Sequence, residues 1–320
     1  MAELSGSFSR LGNDCRIGYE IAKSQHTSGM NVIISDNQGD PKTAISEFHK
    51  LIDAENASIV VTTRSPVGLA LNPLSKQMKL PLIGVVGHPR YISENPYAVQ
   101  VFPTAIDEAN SLAEYFKSKS HQRIATITIE DEYFLELKEK FEKQIANDKL
   151  IYSETVLPTE KDFLTAILNI RTKHPDAIFV NLGPAQIPQF IRKLKEANVN
   201  ASVYANFLIG MADIRKSLGE LAEGIIFSEI DYTQAEFMKS VFKVSGSNES
   251  SPIGYSCYIA LNYALTLAEE VNKNHLTAVD ILNSPLTLKT LDGTVEFEQR
   301  KAKLKVMPKI IQNGVIQIIK

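Results

Sequence analysis

Arg64, Ser65 and Pro66 have the residue types and the spacing of an anion-binding helix start. Serine is a preferred helix N-cap, and proline suits the first helical position because its missing N–H costs no hydrogen bond there. Free backbone N–H groups and the positive end of the helix dipole would then face a ligand carboxylate, with the Arg64 side chain beside it. The alternative is an ordinary capped helix in an α/β sheet. We predict a carboxylate-binding position at Ser65, on a helix from Pro66 to about Lys79.

Catalytic chemistry has less support in the sequence. His88 follows a predicted strand end and could donate a proton, but no orienting partner is visible. Asp131 and Glu132 are interpreted as exposed acids at a helix start, and no two histidines stand four residues apart, so no metal site is expected. The nucleophile elbow, the phosphate-binding P-loop and the dinucleotide fingerprint are absent. We therefore expect a binding protein without a cofactor rather than an enzyme.

Composition and charge exclude further classes of function. The chain has 320 residues, 44% of them hydrophobic, and a net charge of −3, which is typical of a globular protein. Such a balance predicts no nucleic-acid partner. No apolar run approaches the ~20 residues that cross a bilayer, so no direct membrane insertion is expected. No secretion signal opens the sequence, which leaves the compartment open.

Cys15 and Cys257 are the two cysteines of the chain. They stand far apart and match no metal-ligand spacing. The sequence leaves two possibilities open, a pair of buried free thiols or one disulfide.

Apolar strands alternate with helices in two successive series, the pattern of parallel sheets covered on both faces. The strands of the first series are predicted at Asn31–Ser35, Ile59–Thr62, Leu82–Val86 and Val99–Phe102. Those of the second series are predicted at Ile124–Ile129, Ile151–Leu157, Ala177–Asn181, Ser202–Ala205 and Gly224–Ser228. Two series of this length favour two α/β lobes over one (β/α)₈ barrel, which the strand count also permits.

The pattern changes after Asp231, where a long helix over Ile253–Val271 precedes short strands and the hairpin signal Asn313-Gly314. Ligands of open α/β sheets bind beyond the carboxyl ends of the strands. If two lobes close on one cleft, its candidate walls are Thr63–Ser65, Val86–His88, Glu130–Tyr133, Asn181–Pro184 and Asn206–Phe207.

The order and spacing of several segments resemble the branched-chain amino-acid-binding proteins of ABC importers. The segments are LSGSFSRLG, RSPVGLALNPLSKQMKLPLIGVVG, EDEYF, NLGPAQIPQFIRKLKEANV, LAEGIIFSEID and the closing LDGTVEFEQ and QNGV. The resemblance covers nearly the whole chain and implies the type I periplasmic-binding-protein fold, two Rossmann-like lobes with parallel sheets and a hinge. It implies a lobe I of residues 1–103 and 231–306, and a lobe II of residues 104–230 and 307–320.

The resemblance also implies ligand contacts. It assigns the ligand α-carboxylate to Ser65, which agrees with the helix argument above. The strand end formed by Val86, Gly87 and His88 corresponds to the place that binds the α-ammonium group. His88 stands where the family has a threonine. Tyr133 matches a tyrosine that closes over the ligand from lobe II, and Leu11 lies where the first loop contributes a contact.

Two positions depart from the family pattern. Phe207 stands where the family has the acid that pairs with the ammonium group, and Gly183 stands where it has a second tyrosine. An unpaired buried ammonium group costs several kcal/mol. We therefore expect Arg64 and Phe207 to suit a carboxylate attached to an aromatic or aliphatic body.

The resemblance also implies an apolar strand ahead of the first loop, whereas this sequence begins at that loop. A central parallel strand missing from the first sheet leaves backbone groups unpaired and exposes apolar helix faces. We expect a lower stability than in relatives, or a compensating contact.

The leading hypothesis is the solute-binding protein of an ABC importer, which clamps a small, amino-acid-like carboxylate between two lobes. Its expected partners are that ligand and a membrane permease, and its location is periplasmic or otherwise extracytoplasmic by resemblance. The alternative is a cytosolic or sensory effector-binding regulator of the same fold, similar to the amide sensors. An enzyme is the third hypothesis.

Overall fold

The computed structural model describes residues 1–26, 29–146, 148–274, 277–282 and 284–319. The chain divides into two compact units. Unit 1 consists of Met1–Thr104 and Asp231–Lys305, and unit 2 consists of Ala105–Ile230 and Val306–Lys320. Each unit has one sheet dominated by parallel strands, so the predicted α/β class with two such sheets is confirmed.

Unit 1 is built on a mixed sheet. Its strands are β1 (Val60–Thr63), β2 (Leu82–Val85), β3 (Ala98–Gln100), β9 (Leu286–Thr290), β10 (Gly293–Glu298) and β11 (Lys301–Ala302). The strand order is β1-β2-β3-β11-β10-β9, parallel from β1 to β11 and antiparallel from β11 to β9. Its helices are α1 (Ser9–Gln25), α2 (Pro41–Asp53), α3 (Ser65–Met78), α4 (Arg90–Ser93), α10 (Ala235–Ser245), α11 (Pro252–Asn274) and α12 (Ala278–Leu282).

Helix α2 shows why its residues form this element. The Asp40 side chain accepts a hydrogen bond from the backbone N–H of Thr43 at 2.8 Å, and Pro41 begins the helix, the arrangement of a capped helix start. Ala44, Phe48 and Leu51 recur at helical spacing and are buried in the core that covers one face of the sheet. The N-cap and the apolar stripe therefore both favour a helix at Pro41–Asp53.

A disulfide joins Cys15 of α1 to Cys257 of α11, with the Cα atoms 5.1 Å apart. The sequence left the state of these two cysteines open. The structure assigns them to a covalent link between two helices of unit 1.

The predicted strand Asn31–Ser35 is not formed, and this prediction is wrong. Among the described residues, the backbone pairing of this segment is limited to its end, next to which Ala2 and Asp36 form one isolated parallel bridge. The N–H of Ala2 donates to Ser35, and the N–H of Asn37 donates to Ala2, both at 3.0 Å. A strand ladder needs consecutive pairs of this kind, and a single bridge does not make one.

Unit 2 has the longer parallel series. Its strands are β4 (Ile124–Ile129), β5 (Leu150–Val156), β6 (Ala177–Asn181), β7 (Ser202–Ala205), β8 (Ile226–Ile230), β12 (Val306–Gln312) and β13 (Val315–Ile318). The strand order is β13-β12-β8-β7-β6-β4-β5. The strands from β8 to β5 are parallel to their neighbours, β12 is antiparallel to β8, and β13 is antiparallel to β12. Its helices are α5 (Ala105–Lys117), α6 (Glu132–Glu142), α7 (Leu164–Thr172), α8 (Gln186–Glu196) and α9 (Ala212–Leu218).

The C-terminal strands β12 and β13 form the predicted hairpin. Gln312 pairs with Val315 across the turn, and the two turn residues Asn313 and Gly314 have φ values of 55° and 72°. Asparagine and glycine tolerate this left-handed conformation, which a two-residue hairpin turn requires. None of the helices within the described residues is long and apolar enough to cross a bilayer.

Candidate functional site

Ser65 lies at the carboxyl end of β1 in unit 1. Arg64 adopts φ 63° and ψ 140°, a conformation that turns the chain abruptly from the strand into α3. The helix therefore begins at Ser65, with Arg64 as its N-cap, and the prediction that Ser65 is the N-cap is wrong. The side chain of Ser65 is 3% exposed and accepts a hydrogen bond from the backbone N–H of Gly87 at 3.3 Å. The hydrogen bond between Ser65 and Gly87 thus joins the carboxyl ends of β1 and β2.

The start of α3 leaves backbone donors available. Within the described ranges, no residue accepts a hydrogen bond from the N–H of Ser65 or Val67, and no side chain caps the helix. The first backbone bond runs from Gly68 to Arg64 at 2.9 Å. Two unused N–H groups and the positive end of the helix dipole attract an anion.

The Arg64 side chain is held against the first loop of unit 1. Its Nη1 donates to the carbonyl oxygen of Gly39 at 2.7 Å, and its guanidinium carbon lies 3.7 Å from the centroid of the Phe8 ring. A guanidinium at this distance makes a cation–π contact. Arg64 therefore ties the loops before α1 and α2 to the start of α3.

The segment Val86–Gly87–His88 follows β2 directly. The Val86 carbonyl oxygen accepts a hydrogen bond from Nε2 of Gln100 at 2.7 Å. Nδ1 of His88 accepts from the backbone N–H of Arg90 at 3.2 Å, so a neutral His88 carries its proton on Nε2. Gln100 thereby uses one of the two lone pairs of a carbonyl oxygen in the segment that the resemblance assigns to the ligand ammonium group.

Leu11 lies within α1 and is 5% exposed. The expectation that it belongs to the first loop is wrong, because the helix already begins at Ser9. Its side chain packs in the buried face of the helix.

In unit 2, Tyr133 and Phe207 meet at a third residue, Glu108. The Tyr133 hydroxyl donates to one oxygen of the Glu108 carboxyl group, and the backbone N–H of Phe207 donates to the other oxygen at 2.9 Å. The rings of Tyr133 and Phe207 pack edge to face, with centroids 5.9 Å apart, a favourable arrangement for aromatic pairs. Asp131 caps α6 by accepting from the N–H of Tyr133 at 3.1 Å, which fixes the start of that helix.

The charge state of Glu108 follows from its surroundings. Burial raises its pKa to about 8, although the hydrogen bonds from Tyr133 and Phe207 lower it, and the negative charge of Glu229 raises it further. Burial also raises the pKa of Tyr133 well above its usual range. Because a carboxyl group with this pKa is mostly protonated near pH 7, Glu108 adds little negative charge beside Tyr133 and Phe207.

Gly183 lies at the carboxyl end of β6, in the turn before α8. Its N–H donates to Oε1 of Gln186 at 3.2 Å. A Cβ atom added at Gly183 would stand 3.0 Å from Cδ1 of Ile129, which is closer than ordinary packing. A larger side chain at position 183 would therefore require the Ile129 side chain to move.

Sequence reasoning missed Glu108 and Gln100. Glu108 falls on the buried stripe of α5, in line with Ala105, Ala109 and Leu112. An acid at a core-facing position of an amphipathic helix needs hydrogen-bond partners, and this pattern was the available signal. Gln100 lies inside the buried strand β3 and carried the same kind of signal.

No group of three or more His, Cys, Asp or Glu side chains that could hold a metal ion occurs in the part of the chain that the structure describes. The polar groups at the strand ends are backbone N–H groups, a serine, a histidine and hydrogen-bonded amides. This donor set suits an organic anion.

Comparison with known proteins identifies the family. Residues 1–304 match the model of the periplasmic binding protein family, so the chain belongs to that family. A search of curated protein sequences found no match.

Several solved structures share the fold. A solute-binding protein of an ABC transporter from Rhodopseudomonas palustris BisB5, in complex with 3,4-dihydroxybenzoic acid, is 16% identical, with a TM-score of 0.87 over 99% of this chain and 93% of that one. A leucine-binding protein from Thermotoga maritima is 17% identical, with a TM-score of 0.87 over 99% and 95% of the two chains. A solute-binding protein from Rhodopseudomonas palustris in complex with benzoate is 16% identical, with a TM-score of 0.85 over 99% and 93%.

Proposed function

We propose that the protein is the solute-binding protein of an ABC importer and that it captures a small monocarboxylate with an aromatic or aliphatic body. The start of α3 carries this proposal, because the N–H groups of Ser65 and Val67 and the helix dipole form an anion site at the end of β1. The ligand would be held between lobe I, residues 1–103 and 231–306, and lobe II, residues 104–230 and 307–320.

The chemistry around the anion site favours a ligand without an α-ammonium group. The Val86 carbonyl oxygen accepts from Gln100, and the Glu108 carboxyl group accepts from Tyr133 and Phe207 and has a pKa of about 8. Because Glu108 is mostly protonated near pH 7, a buried ammonium group would first have to ionise it to gain a charged partner, which is costly. The rings of Tyr133 and Phe207 would instead contact an apolar body.

The relatives support both the class of protein and this class of ligand. Two of the solved structures named above contain benzoate or a dihydroxybenzoate, and a third is a leucine-binding protein. We therefore propose Ser65, Arg64, Val67, Gly87 and His88 as the lobe I contacts. The proposed lobe II contacts are Tyr133 and Phe207.

The partner and the compartment follow from the family. A membrane permease would accept the ligand from the loaded protein. The disulfide between Cys15 and Cys257 supports an oxidising, extracytoplasmic compartment. It weighs against the alternative of a cytosolic effector-binding regulator of the same fold.

A thermal-shift screen followed by calorimetric titration tests the proposal. The panel is benzoate, 4-hydroxybenzoate, 3,4-dihydroxybenzoate, 4-methyl-2-oxopentanoate, leucine and isoleucine, because ligands that bind only the folded state raise the melting temperature. We expect one or more of the acids without an ammonium group to bind at least tenfold more tightly than leucine. Tight leucine binding with no binding of the other acids would reject the proposed ligand class. No binding of any small carboxylate would reject the proposed function.

A further inference from the structure

Two buried asparagines connect the carboxyl ends of β6 and β7 in unit 2. Asn181 is the last residue of β6, and Asn206 directly follows β7, the neighbouring parallel strand. Both side chains are fully buried. Nδ2 of Asn206 donates to Oδ1 of Asn181 at 3.2 Å, so the two side-chain amides are bonded directly to each other.

Every polar atom of these two amides has a partner. Nδ2 of Asn181 donates to the Phe134 carbonyl oxygen at 2.8 Å and to a threonine hydroxyl of β4 at 3.3 Å. Nδ2 of Asn206 also donates to the Leu182 carbonyl oxygen at 2.9 Å, and its Oδ1 accepts from the Leu208 N–H at 3.0 Å. A buried amide whose donors and acceptor are all used has one satisfied orientation, and loss of a partner leaves a buried polar group unpaired.

The asparagine pair forms a second bridge between the two segments that carry Tyr133 and Phe207. Glu108 forms the first, because its carboxyl group accepts from the Tyr133 hydroxyl and from the Phe207 N–H. The asparagines bind the next residue of each segment, at the Phe134 carbonyl oxygen and the Leu208 N–H. Two bridges at successive residues fix the orientation of a segment as well as its distance.

The rings of Tyr133 and Phe207 have a geometry that their own contact does not determine. Their centroids are 5.9 Å apart and their planes are 88° apart. Aromatic pairs are also stable in offset-stacked arrangements, so the positions of the two backbones must select the edge-to-face one. A surface that is already ordered before binding loses less entropy when a ligand arrives.

We propose that Asn181 and Asn206 are positioning residues that set the ligand selectivity of unit 2 by holding the Tyr133 and Phe207 rings edge to face before the ligand binds. This role rests on the proposed function, in which the two rings contact the apolar body of the ligand. Flat aromatic and branched aliphatic bodies need differently shaped surfaces. Loss of the asparagine bridge should therefore change the ratio of affinities for acids that share a carboxylate but differ in the body.

Asn206→Ser separates the bridge from the local cap of the turn after β7. Serine keeps an oxygen that can accept from the Leu208 N–H, as at helix N-caps, but it has no amide to donate to Asn181 and Leu182. We expect the affinity ratio of benzoate to 4-methyl-2-oxopentanoate to change at least about fivefold in calorimetric titrations. In a Phe207→Leu background the same substitution should change the ratio less than about twofold, because no ring remains there to position. An unchanged ratio, or equal changes in both backgrounds, would overturn the proposal.

Asn262 of α11 provides the matched control in unit 1. Its side chain is also buried, and its Nδ2 donates to the Lys289 carbonyl oxygen at 2.9 Å. Asn262→Ser removes a buried amide of the same kind, so it should lower the melting temperature by a few degrees, as Asn206→Ser does. The affinity ratio should stay as in the original protein. Equal changes of the ratio in the two variants would assign the effect to a general loss of stability and overturn the proposal.

A measurement without ligand separates this role from the proposed function. 4-Fluorophenylalanine incorporated at position 207 reports the contact with the Tyr133 ring through its fluorine NMR resonance. We expect Asn206→Ser to shift or broaden this resonance in the ligand-free protein and Asn262→Ser to leave it unchanged. If the acids bind and the resonance of Asn206→Ser is unchanged, the positioning role alone fails. If none of the acids binds, the proposed function fails and the selectivity role fails with it.

Discussion

The hydroxyl of Tyr133 donates a hydrogen bond to Glu108, and the same carboxyl group accepts from the backbone N–H of Phe207. Helix α6, the turn after β7 and helix α5 therefore converge on one buried carboxyl group. Tyr133 and Phe207, the two proposed lobe II contacts, owe their mutual position to a residue from a third element.

We expect Glu108→Gln to change how stability depends on pH. The pKa of Glu108 is raised to about 8 from 4.5, so the folded state holds a proton that the unfolded state has lost. Its contribution to stability is fully present below about pH 4.5 and is lost as the pH rises through 8. The free energy of unfolding of Glu108→Gln, relative to the original protein, should therefore rise between pH 5 and 8 in urea titrations.

The control for this experiment is Glu139→Gln. Glu139 is an exposed helix residue whose pKa is lowered by its hydrogen bond with Lys143 and by the charge of Lys140. Its contribution has the opposite sign, so the relative stability of this variant should not rise between pH 5 and 8. A flat difference for Glu108→Gln would show that Glu108 is ionised in the folded protein.

Tyr133→Phe separates the hydroxyl from the ring. Removing the hydroxyl takes one hydrogen bond from Glu108 and should lower the free energy of unfolding by about 1–2 kcal/mol. Ligand affinity should stay within about threefold, because the ring remains, whereas Tyr133→Ala should weaken binding more than about tenfold. Tyr152→Phe is the matched control, since that hydroxyl also donates to a glutamate, Glu154, on a half-buried strand. A large affinity loss in Tyr133→Phe would mean that the hydroxyl itself contacts the ligand.

Elements with strong local signals were predicted well. The strand Ile124–Ile129 has the predicted bounds, because a continuous apolar run of this length points to one structure. The hairpin at Asn313 and Gly314 was found for the same reason, since the turn chemistry is local.

Elements that depend on distant partners were predicted poorly. Asn31–Ser35 has a strand-like sequence, but next to it the described residues form one isolated bridge instead of a run of paired residues. The sequence of the segment itself does not show whether such a partner strand is present. The helix Ala235–Ser245 was missed. The junction of Tyr133, Glu108 and Phe207 brings together residues from three separate elements, and a single sequence contains no record of their proximity.

Ser65→Ala tests the anion site at the start of α3. Loss of the hydroxyl removes the acceptor for the Gly87 N–H and a polar group beside the free N–H of Val67. We expect carboxylate affinity to fall by about 10- to 100-fold, the range for a hydrogen bond to a charged group. Calorimetric titration with the tightest acid of the panel measures this change.

Ser75→Ala is the control on the same helix. The Ser75 hydroxyl donates to the Leu80 carbonyl oxygen at 2.7 Å and accepts from Asn95 at 3.0 Å, near the far end of α3. We expect a stability loss of about 1–2 kcal/mol with unchanged ligand affinity. Equal affinity losses in the two variants would place the carboxylate elsewhere.

The disulfide between Cys15 and Cys257 should contribute substantially to stability. It closes a loop with a sequence separation of 242 residues, and removal of a native disulfide typically costs about 2–5 kcal/mol. We expect the double variant Cys15→Ser/Cys257→Ser to lose an amount in this range in urea titrations. Reducing agent should destabilise the original protein equally and leave the double variant unchanged. Insensitivity of the original protein to reduction would argue that the bond contributes little.

Lys309 and Glu229 form a buried ion pair between β12 and β8 of unit 2. The Lys309 ammonium donates to a Glu229 carboxylate oxygen and to the Ile230 carbonyl oxygen, both at 3.0 Å, and both charged side chains are almost fully buried. Lys309→Met leaves a buried carboxylate without this partner and should cost about 3–5 kcal/mol, whereas Lys309→Met/Glu229→Leu should recover most of that loss. Lys193→Met removes an exposed pair with Asp162 and should cost at most about 1 kcal/mol. Denaturant titration distinguishes these outcomes. A double variant no more stable than Lys309→Met would show that the loss comes from the ion pair itself and not from leaving the Glu229 carboxylate unpaired.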